Sequence, residues 1–200
     1  VVGTWVSLRR LAYMGDAMSH SLLGGVALAF AWFGTAAVLP GALVAGIFMA
    51  VVIHLLSQNR RIAHDSIIAV VGSGMFAFGV LALGKVDTSV SLTHFLFGQL
   101  LTVNTLDMWI TFALTIGSLF FVWFRFEDLK IATFDRDHAT QVGVRAQRLD
   151  AAMLILLAIC VVVCLSTVGT VLTVSLLITP TSTARLFFDR VGSITRAAVV

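Results

Sequence analysis

The chain has 200 residues, of which 59% are apolar and 12% charged. Soluble domains are about 45–50% apolar and about 25% charged. With a mean hydropathy of +1.03, this composition excludes a disordered chain, a nucleic-acid-binding module and a secreted disulfide scaffold. It leaves an all-α, polytopic helical membrane protein.

A helical span needs about 20 mostly apolar residues. In chain order, Val1 to Leu8 reads as the tail of an earlier span. Six stretches then qualify or nearly do. They are Leu11 to Phe33, Pro40 to Leu56, Ile67 to Leu83, Leu106 to Phe124, Ala151 to Thr167 and Val171 to Phe188. Val90 to Thr105 is too short to cross and too apolar for a solvated loop. It reads as a helix lying in the outer interface, or partly re-entrant. The fifth and sixth spans are separated by STVGT, a tight hairpin at the outer face. The chain opens at Val1 without a methionine and stops abruptly. It is therefore expected to be a single transmembrane domain, 1–200, cut from a longer protein.

The basic residues test this register. Arg9 and Arg10 precede the first span, and Arg60 and Arg61 follow the second. Arg125, Lys130, Arg136, Arg145 and Arg148 follow the fourth, and Arg185, Arg190 and Arg196 the sixth. Six spans put all of them on one side, and only Lys85 lies opposite. The richer side is cytoplasmic by the positive-inside rule. The basic residues are thus topology signals rather than a nucleic-acid surface.

Charge inside a span points to function. Asp16 and His20 are four residues apart and share one helical face. At 1.5 Å per residue, His20 lies about 15 Å beyond Arg10, near mid-membrane. A carboxylate and an imidazole suit Zn²⁺, Mn²⁺ or Fe²⁺. The same pair also suits a buried hydrogen bond that locks two helices. Gly24, Gly25, Gly72, Gly74 and Gly79 permit close helix packing. Thr179, Pro180 and Ser182 form a kinked, hydroxyl-rich segment fit for a gate, a pore wall or a plain kink. His54 and His64 read as structural or surface residues, and His94 as an entry-side contact. Cys160 and Cys164 read as small apolar filler.

Between the fourth and fifth spans, Phe134 to Gly143 reads as a short cytoplasmic helix. Asp135 is its N-cap and Gly143 its stop. So short a helix needs a docking surface, and Phe134, Ala139 and Val142 are the candidate anchors. No phosphate-binding loop or other catalytic signature is found.

At these residues the chain resembles the permease subunits of the ATP-binding-cassette importers for zinc, manganese or iron(II). Four stretches carry the resemblance: LRRLAYMGDAMSHSLLGGVAL (8–28), FAFGVLAL (76–83), FDRDHATQVGV (134–144) and VGTVLTVSLLITPTSTARL (168–186). The GDA-x-SH block is the most specific. Thr181, Ser182 and Thr183 depart from the smaller apolar residues usual there.

The resemblance implies two permease copies around a central pathway, in the plasma membrane of a bacterium. It also implies two ATPase subunits beneath and an extracellular metal-binding protein that delivers the ion. Asp16 and His20 match the family's metal-passage positions, and Phe134 to Gly143 matches its ATPase-coupling helix. The metal is then a passenger, not a resident cofactor, and the chain itself hydrolyses nothing. A siderophore or vitamin permease of the same architecture, or an ion-coupled secondary carrier, is the alternative reading.

Overall fold

A computed structural model describes residues 1–9, 11–34, 37–58, 62–84 and 105–199, excluding the side chains of 12, 31, 83, 106, 107, 166, 167, 170 and 171. Arg10, Arg60, Arg61, Lys85, His94 and the outer segment expected over 90–104 lie outside these residues. Among the described residues every regular element is a helix. They are α1 (Val2–Leu8), α2 (Ala12–Phe33), α3 (Val38–Ser57), α4 (His64–Leu83) and α5 (Thr105–Phe124), followed by α6 (Phe126–Phe134), α7 (Arg136–Gln141), α8 (Ala146–Val168), α9 (Thr170–Phe187) and α10 (Val191–Ala197).

Six of these helices are long, and they stand where the six apolar stretches place them. By length and hydropathy, Val38–Ser57, His64–Ala82 and Ala146–Leu165 can each cross a membrane. Met108–Phe124 and Phe126–Phe134 make a fourth when taken together, bent by 67°. α2 and α9 are not among these spans. Asp16, Ser19, His20 and Ser21 lower the hydropathy of α2. Hydroxyls, Pro180 and Arg185 do the same in α9.

α2 is the centre of the fold. Leu11, Met14, Met18, Leu22 and Val26 recur every three or four residues and form its buried stripe. They join Met49 and Ile53 of α3, Ile68 of α4, and Leu157 and Val161 of α8 in one core. Glycine sets the α2–α4 distance. A methyl group added to Gly24 would sit 3.3 Å from the Gly79 Cα. One added to Gly79 would sit 2.5 Å from the Gly24 backbone nitrogen. Gly72 meets Ala17 in the same way, whereas Gly74 faces open space.

Backbone cannot yield as a flexible side chain can. Gly79→Ala is therefore expected to destabilise the fold by about 1–3 kcal/mol, and Gly74→Ala to be nearly neutral. Thermal unfolding of the full-length protein in detergent checks this, and equal midpoints for the two variants would contradict it.

Outward, the helices carry Phe48 on α3, Phe78 and Leu81 on α4, and Phe112, Phe120 and Trp123 on α5, all exposed. Such apolar surfaces suit lipid contact. The protein is a multi-pass membrane protein. The connection expected over 166–170 shrinks to Gly169, whose φ of +84° lets α8 end and α9 begin at once. Cys160 and Cys164 are free thiols on α8, with the Cys160 Sγ 3.8 Å from the Ser118 hydroxyl.

Candidate functional site

Asp16 and His20 lie on the side of α2 away from its buried stripe. The His20 Nε2 stands 3.6 Å from the Asp16 Oδ1. That is too long for a hydrogen bond. Their side chains are 46% exposed for His20 and 49% for Asp16. The pair therefore does not form the buried helix-locking hydrogen bond that the sequence also allowed. Two donors each about 2.1 Å from one tetrahedral ion stand about 3.4 Å apart. The observed gap accommodates a shared ion with little adjustment.

The helix around the pair is regular, with its serines turned away from it. Ser19 donates to the Gly15 carbonyl at 2.8 Å, and Ser21 to the Met18 carbonyl at 3.1 Å. Both serines point inward. On the outer side, the Phe76 ring of α4 meets the His20 ring edge-on, with centroids 6.1 Å apart. Phe76 thus borders the imidazole on one side. Sequence reading placed Phe76 in a motif without giving it this role. Among the described residues, no group of three or more His, Cys, Asp or Glu side chains could hold a metal ion.

α9 runs unbroken through Pro180. Thr181 is buried, its hydroxyl 3.5 Å from that of Thr4 on α1. Thr179 and Ser182 are exposed and Pro180 is half-buried. His54 borders a polar cavity, and the His64 Nδ1 lies 2.9 Å from the Ser57 hydroxyl, tying α3 to α4.

The segment between α5 and α8 holds two helices where one was expected. Phe134 is the last residue of α6, and Asp135 separates it from α7. Asp135 caps α7 as predicted, its Oδ1 accepting from the His138 N–H at 2.8 Å. Gly143 stops it at φ +83°. The Val144 N–H donates to the Ala139 carbonyl at 2.9 Å and the Gly143 N–H to the Thr140 carbonyl at 3.2 Å. This is a Schellman stop. Ala139 is fully buried and holds α7 to its own chain. It is therefore not an outward anchor. Phe134 and Val142, 64% and 58% exposed, are the apolar side chains left outward.

A link that sequence reading missed ties this segment to the membrane helices. The two carboxylate oxygens of Asp150 on α8 each accept from a different arginine, Arg9 and Arg136, at 2.6 Å. Arg9 precedes α2, and its Nε donates to the Thr133 hydroxyl of α6 at 3.0 Å. Burial lowers the pKa of Arg9, and the Asp150 carboxylate opposes that shift. Arg9 and Arg136 hence lie on the same side, as the basic pattern required.

The sequence model of the ABC 3 transport family matches residues 1–200. The chain belongs to the ABC 3 transport family. Its relatives include the manganese transport system membrane protein MntC of Halalkalibacterium halodurans, 38% identical over 95% of this chain and 65% of that protein. The chelated iron transport system membrane protein YfeD of Yersinia pestis is 36% identical over 90% of this chain and 60% of its own length. Among solved structures, PsaBC from Streptococcus pneumoniae in complex with Fab superposes with a TM-score of 0.80 at 34% identity. The match covers 98% of this chain and 70% of that one. The chain thus spans less than two thirds of the length of these first two ABC 3 relatives.

Proposed function

We propose that this chain is the permease part of an ATP-driven importer for a divalent transition metal. The observation that carries the reading is the Asp16–His20 pair. It is half-exposed on the outside of a single chain, on a helix that packs within a membrane bundle. Ionisable groups at that depth must face protein or water rather than lipid. A second copy of the chain meeting this face would shield the pair. It would also bring two carboxylates and two imidazoles together, a sufficient donor set where one chain supplies half.

Manganese and iron appear in the names of the two relatives, and both accept carboxylate and imidazole donors. The ion is cargo and must leave, so binding at the pair is weak enough for release. Hydrolysis belongs to a separate ATPase subunit docked at α7, and delivery to an extracellular metal-binding protein. The plasma membrane of a bacterium is the setting. A siderophore or vitamin needs no Asp–His pair at this depth.

The full-length chain, reconstituted in vesicles with its ATPase, tests this directly. Uptake of labelled Mn²⁺, Fe²⁺ or Zn²⁺ is expected only with ATP. Uptake driven by an ion gradient without ATP would instead identify a secondary carrier.

A further inference from the structure

We infer that Asp150 is a positioning residue that couples α7 to α2, the helix bearing Asp16 and His20. The inference rests on the proposed docking of an ATPase at α7. Asp150 divides its carboxylate between two elements. One oxygen holds Arg9, which sits at the C-terminus of α1 and leads into α2. The other holds Arg136, the first residue of α7.

The two links differ in character. Arg9 is 10% exposed, donates also to Thr133 of α6, and has a buried Nη2 with no partner among the described atoms. A guanidinium so placed cannot leave its carboxylate without stranding a charge. Arg136 is 61% exposed. It borders a polar cavity of about 1400 Å³ that also reaches Arg9, His54, Asp137, Arg148 and Asp150. The cavity gives the Arg136 side chain room to move without disturbing the core.

Asp150 is thus joined by a buried ion pair to the base of α2 and by an exposed one to α7. From α7 itself the side-chain route to the α1–α2 junction runs through the Asp150 carboxylate, beside the Arg9–Thr133 bond that reaches only the neighbouring α6. The covalent path between Arg9 and Arg136 is far longer.

The test uses the full-length permease with its ATPase in vesicles. The readout is the number of Mn²⁺ ions taken up per ATP hydrolysed, a ratio that a change in protein yield does not move. Asp150→Asn is expected to lower the ratio about fivefold or more, and Asp150→Glu to restore most of it. Arg136→Ala should also lower the ratio. The double variant Asp150→Asn with Arg136→Ala should be no worse than Asp150→Asn alone, because the Arg136 link is already broken when Asp150 is replaced.

A wild-type ratio in Asp150→Asn overturns the inference, as do effects of the two single variants that multiply. Should Asp150→Asn fail to assemble, Arg136→Ala decides, and an unchanged ratio there is equally contrary. Absence of ATP-driven uptake by the wild-type chain is a different failure. It removes the proposed function itself and is seen before any variant is made.

Discussion

Asp16→Ala and His20→Ala are each expected to cut metal uptake by at least about 10–100-fold while the protein still assembles. Loss of a mere supporting partner of a metal ligand costs about that much, and a direct ligand should matter no less. Assembly should survive because neither side chain belongs to the core. Met14, Met18 and Leu22 fill the buried face of α2, whereas Asp16 and His20 are half-exposed opposite them. Asp16→Asn keeps shape and one oxygen donor but loses charge, so it should retain more uptake than Asp16→Ala. Uptake of labelled metal per unit of folded transporter is the measurement. Wild-type rates in both alanine variants would take the pair out of the pathway. Loss of folded protein would point to a packing role instead.

Phe134→Ala should weaken ATPase association by roughly 30-fold, since an interface aromatic anchor contributes about 2 kcal/mol or more. Phe134 closes α6 and Val142 follows α7, and both stand outward. They are exposed apolar side chains on an otherwise polar segment. Gly143→Val acts on the same surface through the backbone. At φ +83° a β-branched residue is strained by about 1–2 kcal/mol. The Schellman stop would then loosen and the neighbouring Val142 would lose its setting. Ala139→Gly would act differently, by loosening α7 from its own chain. Co-purification of the ATPase and ATP-driven uptake are the readouts. Unchanged values in both Phe134→Ala and Gly143→Val would place the coupling surface elsewhere, for example near Asp65.

The long helices were legible because each is a sustained apolar run, and hydropathy needs no tertiary information. Their ends moved by only a few residues, as with Ala151 expected and Ala146 observed. The caps of α7 were legible too, because Asp135 and Gly143 act on their own backbone within a few positions. α6 was not, since FEDLKIATF is short and half polar and is helical through its packing on α8 and Trp5. Nor was the inward turn of Ala139, which depends on what lies beneath it. The Asp150 link joins residues 141 and 14 positions apart in sequence. Nothing in the local pattern distinguishes Asp150 from an ordinary charge at a helix start. For the pair on α2, spacing gave the shared face. The sequence did not show that the face points out of the chain.

In the proposed transporter, Asp16 and His20 of two chains hold one passing ion. Mn²⁺ titrated into the purified full-length transporter and followed by electron paramagnetic resonance reads this arrangement out. The expected result is one bound Mn²⁺ per two chains, with nitrogen coupling from imidazole that disappears in His20→Ala. One ion per chain, or nitrogen coupling that persists in His20→Ala, would contradict it.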